Sequence, residues 1–307
     1  MTPTFLERLD ARLRDGWRNL APALRDSAPS WTAPFADPCG GYRGRLGPAD
    51  TYYTDFAVRL FDLAGGLPKD LERVGEFLGS LPPPNDLVDL FSRMNAARLL
   101  RRPDVVAPEV ARRILDAQRA EGGGFAQPGE QTPSAYLTFL AGLVSEMLGE
   151  PIPEAGRMAA ALRSLRQPSG GFSDRPGEAM AQANTTAAAV AALGMIGEGD
   201  PREAAAAAQF LAGLQTPEGG FRAHQEAPEA DLLSTFTSLT SLAGMGALRW
   251  VRLAPIGRFV LSLHSPGNGF RASAADPESD IEYTFYGVGS LCLLQDHLNR
   301  ARDPAVA

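Results

Sequence analysis

Apolar residues recur along this chain in two kinds of segment. One kind is apolar almost all round, as in SAYLTFLAGLVSEML from Ser134 and NTTAAAVAALGMI from Asn184. A helix without a polar face must be buried on every side. The other kind places leucine and alanine at helical spacing among charged residues, as in EAGRMAAALRSLRQ from Glu154 and PREAAAAAQFLAGLQ from Pro201. The pattern therefore predicts buried helices that alternate with amphipathic surface helices.

An internal repeat organises this alternation. Each clear copy begins with a Gly-Gly or Gly-Asn-Gly turn and an aromatic residue, which is Phe125, Phe172, Phe221 or Phe270. A fifth copy begins at Gly40 with Tyr42 in the aromatic position, and a degenerate sixth copy runs from Ser80 with prolines in place of the glycines. Glycine permits the tight turn. Each unit is therefore predicted to contain a turn, a polar loop, a buried helix and a surface helix.

The units predict an all-α fold, an α/α toroid of about six helical hairpins similar to an (α/α)6 barrel. An open solenoid is the alternative, but open arrays usually end in polar capping repeats. Here the last unit, with YTFYGVGSLCLL from Tyr283, is as apolar as the others, which favours closure. We assign residues 1–36 to an N-terminal helical segment that packs on the ring, 37–300 to the toroid and 301–307 to a disordered tail.

A closed ring of helices leaves a central cavity. The loop after each glycine turn brings the N-terminus of a buried helix to one mouth of that cavity. Free N–H groups and partial positive charge at helix N-termini favour polar ligand groups there. We therefore expect polar recognition at this mouth and apolar walls below it.

Composition excludes several classes of partner. Hydrophobic residues make up 44% of the 307 residues and charged residues 21%, with a net charge of −7, which disfavours nucleic acid and anionic membranes. No apolar run approaches the ~20 residues that span a bilayer. Cys39 and Cys292 are too few for a disulfide framework, and the N-terminus lacks the layout of a signal peptide. We expect a cytoplasmic protein with no nucleic-acid partner and no stable membrane insertion.

The repeated turn, polar loop and threonine-containing buried helix resemble the prenyltransferase and squalene-oxidase repeat. Within that group the chain looks most similar to the β subunit of protein prenyltransferases of the Rab geranylgeranyl type. The resemblance runs from about Gly40 to Leu294 and includes GGFSDRPGEA and DIEYTFYGVGSLCLL. It implies an apolar or isoprenoid small-molecule ligand and a helical-repeat α-subunit-like partner protein.

The same resemblance implies a catalytic zinc ion held by Asp, Cys and His. Asp231 matches the aspartate, but Leu233 stands in place of the cysteine and Tyr283 in place of the histidine. Catalytic zinc takes roughly three protein ligands from N, S or O donors. The sequence therefore predicts no zinc, no other cofactor and no zinc-dependent prenylation of cysteine.

The diphosphate-binding and cyclase residues that the resemblance implies are also replaced. The cationic positions correspond to Pro133, Pro228, Ala181 and His224 or its neighbour, and several cationic donors are what a diphosphate needs. The related class II terpene cyclases protonate an alkene with Asp-x-Asp-Asp. The matching stretch here, QANTTA from Gln182, has no carboxylate.

The remaining candidate acids lie at helix starts. Asp280 and Glu282 are candidate catalytic residues as an acid pair, or else a helix cap and a first-turn charge. Asp231 is either a retained metal ligand or an N-cap. The candidate ligand-binding residues are Tyr52, Tyr53, Tyr136, Phe139, Asn184, His224, Phe236, Tyr283 and Tyr286.

Three functions follow from these residues. The first is binding of an isoprenoid-like or other apolar ligand, or of a protein partner, without the zinc reaction. The second is an active prenyltransferase or terpene-cyclase-like enzyme that uses Asp231, Asp280 and Glu282. The third is a carbohydrate-active α/α barrel, which is disfavoured because Trp17, Trp31 and Trp250 all lie outside the predicted inner helices.

Overall fold

The computed structural model describes residues 2–66, 71–152 and 154–302. Over these residues the chain forms thirteen α-helices, with five strands of two or three residues between them. The helices are α1 (Phe5–Arg18), α2 (Pro22–Thr32), α3 (Thr51–Leu63), α4 (Leu71–Ser80), α5 (Leu87–Leu100), α6 (Pro108–Ala117), α7 (Ala135–Leu148), α8 (Ala155–Ser164), α9 (Ala183–Met195), α10 (Pro201–Gly213), α11 (Leu232–Gly244), α12 (Leu253–Ser262) and α13 (Ile281–Arg302). The predicted all-α class is confirmed.

The odd-numbered helices from α3 to α13 form a closed inner ring. Each packs against the next odd-numbered helix, and α13 packs against α3. Each even-numbered helix packs on the outside of the inner helix that follows it. The chain is therefore an α/α toroid of six hairpins, and the closed ring is confirmed over the open solenoid.

A buried threonine fixes the turn of five units to the inner helix. In each unit the backbone N–H of the aromatic residue donates to a threonine Oγ1 one turn into the inner helix. The pairs are Tyr42–Thr54 at 2.9 Å, Phe125–Thr138 at 3.0 Å, Phe172–Thr186 at 2.9 Å, Phe221–Thr235 at 3.0 Å and Phe270–Thr284 at 3.0 Å. These bonds satisfy buried donors that would otherwise lack a partner.

Short antiparallel strands bring each aromatic residue next to the residue that caps the inner helix. The strands are β1 (Phe221–Arg222), β2 (Ala230–Asp231), β3 (His264–Ser265), β4 (Gly269–Arg271) and β5 (Ser279–Asp280). Phe221 pairs with Asp231, and Phe270 pairs with Asp280. The loop is thereby folded back, and the start of the inner helix lies beside the turn.

The glycine turns also allow the outer helices to approach closely. At Gly170 the backbone has φ of 90°, and a Cβ there would lie 2.9 Å from the carbonyl oxygen of Ala206 in α10. Any other residue would be strained in this conformation and would displace the outer helix.

Helix α1 lies across the end of the ring where the inner helices terminate. Its Asp10 and Arg14 side chains are ion-paired with Arg98 of α5 and Asp62 of α3, at 2.8 and 2.7 Å. Arg12 is ion-paired with Asp296 of α13 at 2.8 Å. The backbone N–H of Phe5 donates to Glu146 of α7 at 2.8 Å. Four inner helices thus hold α1 in place.

The ends of the predicted segments differ slightly from the structure. Helix α13 continues to Arg302, so residues 301 and 302 of the predicted tail are helical. The rest of that predicted tail, 303–307, lies outside the described residues. Among the described helices, none combines the length and the apolar character needed to cross a membrane.

Candidate functional site

The ring encloses a central cavity of about 360 Å³, within the size range of small-molecule sites. Its mouth is formed by the second residue of five inner helices, which faces the centre of the ring in each case. These residues are Tyr52, Tyr136, Asn184, Leu233 and Glu282. Because the inner helices all begin at this end, their first turns set the polarity of the mouth.

Below the mouth the walls become apolar and unequal in bulk. Helices α3, α5, α7, α11 and α13 contribute aromatic rings, which are Phe56, Phe91, Phe139, Phe236 and Tyr286. Helix α9 contributes only small side chains at the same depth, Ala187, Ala188 and Ala191. The floor is formed by Phe5, Leu6 and Leu9 of α1.

Phe5 and Leu9 also separate this cavity from a second one. The second cavity, of about 620 Å³, lies between α1 and the C-terminal ends of α9 and α11. Phe5 packs edge-to-face on Phe139, with ring centroids 5.4 Å apart. The first turns of α1 therefore form a partition one helix thick.

Glu282 is the candidate acid that faces the cavity. Its Oε1 accepts a hydrogen bond from the Tyr52 hydroxyl at 2.7 Å. Burial raises the pKa of Glu282, while hydrogen bonds from Tyr52 and Tyr286 oppose that shift. Tyr286 in turn packs against Phe56 and Phe236, with ring centroids 5.4 Å apart in both pairs.

Asp280 has a different role from its neighbour. It caps α13 by accepting from the Tyr283 N–H at 2.9 Å, and its Oδ2 lies 3.0 Å from Arg45 Nε. Arg45 also donates to both carboxylate oxygens of Asp276, at 2.9 and 2.6 Å. Burial raises the pKa of Asp280, and Arg45 opposes this shift. Asp280 does not line the cavity and instead joins the loops of the first and last units.

Asp231 is an N-cap. Its Oδ1 accepts from the Ser234 N–H at 2.7 Å, and its Oδ2 accepts from the Ser234 hydroxyl at 2.8 Å. Leu233 lies on the cavity wall. The ring of Tyr283 packs against the Arg45 guanidinium, whose Cζ is 5.9 Å from the ring centroid. Within residues 2–66, 71–152 and 154–302, no three His, Cys, Asp or Glu side chains are placed to hold a metal ion. The side chains at this position do not fit zinc.

Three predicted ligand-binding residues, Tyr53, His224 and Tyr283, lie away from the cavity walls. Tyr53 packs edge-on against Tyr52, with ring centroids 5.4 Å apart. The Tyr53 ring also lies directly against Gly44 of the preceding loop. His224 is half-buried in the loop between β1 and β2 and does not line the cavity. The cavity-lining candidates are Tyr52, Tyr136, Phe139, Asn184, Phe236, Glu282 and Tyr286.

Sequence reasoning missed a charged group inside the ring. Arg59 forms an ion pair with Asp55 one turn earlier in α3, and Asn95 of α5 donates to Asp55 Oδ1 at 2.7 Å. The Arg59 guanidinium lies 5.0 to 5.4 Å from the ring centroids of Phe56, Phe91 and Phe285. Burial raises the pKa of Asp55, and Arg59 opposes this shift.

A signal for this group was available in the sequence. Asp55 and Arg59 are opposite charges four residues apart, which places them on the same side of a helix. They lie in a helix whose other residues are mostly apolar. A charged pair inside a helix that must be buried is costly unless its groups are satisfied, so it marks a site for closer inspection.

Comparison with known proteins decides the family. Residues 145–306, more than half of the chain, match the family model described as prenyltransferase alpha-alpha toroid domain. The chain belongs to this family. The resemblance predicted from the repeats is thereby confirmed. No curated protein matches the chain.

Solved structures of this toroid fold include enzymes of different kinds. The chain is similar to protein geranylgeranyltransferase-I of Candida albicans complexed with GGPP, at 16% identity and a TM-score of 0.60 over 71% of this chain and 68% of that one. It is also similar to a variant of the type II terpene cyclase MstE from Scytonema in complex with geranylgeranyl dihydroxybenzoate, at 14% identity and a TM-score of 0.64 over 92% and 98%. A glycosidase matches at 13% identity and a TM-score of 0.55 over 94% and 98%. At these identities the likeness concerns the fold.

Proposed function

We propose that this toroid binds an isoprenoid-like, largely apolar ligand in its central cavity and does not carry out zinc-dependent prenylation of cysteine. The observation that carries the proposal is a cavity of about 360 Å³ with aromatic walls and a polar mouth. Burial of apolar surface contributes about 25 cal/mol per Å², so an extended hydrocarbon chain would gain most of its binding free energy from these walls.

The arrangement of the lining residues supports one orientation of the ligand. Its polar end would lie at the mouth, where Tyr52, Glu282 and Asn184 supply donors and acceptors. Its hydrocarbon part would extend along Phe139 and Phe236 towards the alanines of α9. Two solved relatives are named with isoprenoid ligands, GGPP and geranylgeranyl dihydroxybenzoate, which supports this class of ligand.

The replaced metal ligands support the second half of the proposal. Asp231 uses both carboxylate oxygens on Ser234, and neither Leu233 nor Tyr283 supplies a thiolate or an imidazole. Zinc needs such donors to activate a cysteine substrate. A helical-repeat partner protein of the α-subunit type remains an expectation from the resemblance alone.

Native mass spectrometry of the purified protein is the experiment that tests this proposal. We expect a co-purified lipophilic small molecule, or stoichiometric binding of added geranylgeraniol. Binding should be lost in Ala191→Phe, which fills the cavity from α9, and kept in Ala205→Phe on the exposed face of α10. Absence of any bound small molecule, together with no binding of geranylgeraniol or geranylgeranyl diphosphate, would contradict the proposal.

A second candidate function is acid-initiated cyclisation of an isoprenoid. Glu282 favours it, because this buried carboxyl has a raised pKa and faces an aromatic cavity in which a carbocation could be stabilised by cation–π contact. Of Asp231, Asp280 and Glu282, Glu282 is the acid that lines the cavity. If this function holds, Glu282→Gln abolishes product formation from geranylgeranyl diphosphate, whereas Asp280→Asn and Asp231→Asn affect mainly stability.

A carbohydrate-active function ranks last. Such enzymes generally need two carboxyl groups that flank the scissile bond. Besides Glu282, the carboxyl group on the cavity wall is that of Asp55, and it is already bonded to Arg59 and Asn95. Trp17 and Trp31 are buried in α1 and α2, and Trp250 is exposed beyond α11, so none of them offers the cavity a surface for sugar stacking.

A further inference from the structure

Arg59 has unused hydrogen-bonding capacity inside the cavity. Among the residues that the structure describes, it is the one cationic side chain on the cavity wall, and 18% of its side chain remains accessible. Its Nη2 donates to Asp55, whereas Nη1 has no hydrogen-bond partner within the described part of the chain. Nε is buried without a partner as well. A guanidinium has five N–H donors, and those on Nη1 of Arg59 are left for another molecule.

Arg59 lines the central cavity and, on the side of α1, a small pocket of about 10 Å³, while its other sides are covered. The rings of Phe56, Phe91 and Phe285 lie around the guanidinium at 5.0, 5.4 and 5.4 Å. Asp55 holds the remaining side and is itself held by Asn95 at 2.7 Å. The orientation of the free donors is therefore set by packing before any ligand arrives.

Arg59 lies deep in the cavity and not at its mouth. It is seven residues after Tyr52 in α3, which corresponds to about 10 Å along the helix axis. The hydrogen bond from the Tyr52 hydroxyl to Glu282, which is 2.7 Å long, lies at the mouth. The cavity therefore has two polar sites, one at the mouth and one at Arg59, which are separated by aromatic side chains.

The charge around Arg59 decides which ligand group fits. Asp55 already neutralises the guanidinium, and Glu282 adds a second carboxyl group to the same cavity. An anionic ligand group would therefore be buried without a free counter-charge, which is costly in a cavity of low polarity. A neutral oxygen acceptor can take the free N–H donors and leave the charge balance unchanged.

We propose that Arg59 is an acceptor-binding subsite that selects an uncharged, oxygenated isoprenoid, with a carbonyl or ether oxygen about 10 Å from the group held at the mouth. This inference rests on the proposed function, since it concerns the same cavity. It specifies the ligand class further, because an unsubstituted hydrocarbon leaves the donors of Arg59 unsatisfied. A ligand whose deep end is a diphosphate or carboxylate is excluded by the same charge balance.

Competition between two matched probes tests the inference. The purified protein is mixed with equal amounts of geranylacetone, a C13 isoprenoid ketone, and the hydrocarbon in which CH2 replaces its C=O, and the two complexes are quantified by native mass spectrometry. We expect the ketone to be favoured by about tenfold, as a hydrogen bond to a charged donor predicts.

Three variants assign the preference to Arg59. Arg59→Lys keeps the ion pair with Asp55 but loses the planar set of donors, so the preference for the ketone should fall severalfold. The double variant Asp55→Asn/Arg59→Met removes both charges and every donor of residue 59, and should bring the ratio of complexes close to one. Arg163→Lys on α8, whose arginine is ion-paired with Glu203 at 3.1 Å, is the matched control and should keep the ratio.

The outcomes separate this inference from the proposed function. Equal binding of ketone and hydrocarbon by the unmodified protein, abolished by Ala191→Phe, would overturn the inference and leave the proposed function standing. An unchanged preference in Asp55→Asn/Arg59→Met would also overturn it. Failure of both probes and of geranylgeraniol to bind would overturn the inference and the proposed function together.

Discussion

The side of the ring formed by α3 and α13 differs sharply from the side formed by α9. Helices α3 and α13 place Arg59, Glu282 and several aromatic rings against the cavity, whereas α9 places alanines there. Yet both sides hold their turns in the same way, with Thr186 accepting from Phe172 at 2.9 Å and Thr284 from Phe270 at 3.0 Å. The repeated hydrogen bond belongs to the scaffold, and the cavity-facing positions are free to vary.

This comparison separates two kinds of residue on one helix. In α9, Thr186 faces the turn and is fully buried, while Ala187 and Ala191 lie on the cavity wall. The small side chains of α9 leave this part of the cavity open. On the other inner helices, aromatic rings occupy the equivalent positions. Under the proposed function, the alanine side would determine how much ligand fits, and the charged side would determine which polar groups are recognised.

The largest effect is expected from breaking the ion pair on the charged side. Arg59→Met leaves Asp55 buried without its cation and should lower the free energy of unfolding by about 3–5 kcal/mol at neutral pH. The double variant Asp55→Asn/Arg59→Met removes both charges and should recover most of that loss. Urea denaturation followed by circular dichroism measures both. If the single and double variants are equally stable, the pair does not act as a unit.

The next effect concerns the hydrogen bond that both sides share. Thr186→Val on the alanine side and Thr284→Val on the charged side each leave a buried N–H without an acceptor, which costs about 1–3 kcal/mol. We expect the two losses to be similar in urea denaturation. Thr237→Val, whose hydroxyl bonds only to carbonyls of its own helix, is the control and should cost less. A large difference between Thr186→Val and Thr284→Val would mean that the units are not equivalent.

An aromatic side chain on α9 should make this side of the cavity resemble the aromatic walls formed by the other inner helices. Ala191→Phe is expected to weaken binding of geranylgeraniol by at least about tenfold, or 1.4 kcal/mol, because the ring occupies ligand volume. Stability should change little, since the side chain enters an existing cavity and does not overpack a filled core. Titration with the lipid in detergent measures the affinity, and Ala205→Phe on α10 is the matched control. Undiminished binding by Ala191→Phe would locate the ligand elsewhere.

The smallest effect is a pH dependence at the mouth. Burial raises the pKa of Glu282 above its ordinary value of 4.5, so the folded protein holds this proton more tightly than the unfolded chain. The contribution of Glu282 to the free energy of unfolding therefore falls as pH rises from about 4.5 through the raised pKa. Glu282→Gln cannot ionise and should gain stability relative to the unmodified protein between pH 4 and pH 8.

Urea denaturation of the unmodified protein and of Glu282→Gln at pH 4 and pH 8 measures this change in relative stability. The gain is expected to be modest, because hydrogen bonds from Tyr52 and Tyr286 oppose the effect of burial. A relative stability that does not change with pH, or that changes in the opposite direction, would show that Glu282 is not buried in a way that disfavours its charge. Asp280→Asn serves as a comparison, since Arg45 pairs with that carboxylate at 3.0 Å.

The amino-acid sequence by itself determined the repeat, the helical class and the ring. Glycine turns, all-apolar helices and amphipathic helices at a regular spacing permit few other solutions, because each hairpin can bury its apolar face only against its neighbours. The sequence also shows leucine and tyrosine at Leu233 and Tyr283, where the family resemblance implies two zinc ligands. The N-cap role of Asp231 and Asp280 was one of two interpretations.

Only the tertiary structure decided which of these residues meet. Glu282 and Asp280 are two residues apart, yet one faces the cavity and the other joins the loops of the first and last units, because side chains two apart project from different sides of a helix. Arg59 and Asn95 are distant in the chain and share Asp55 because α3 and α5 are neighbours in the ring. Whether a charged group lies in a cavity or in water depends on its non-local neighbours, and local periodicity does not specify them.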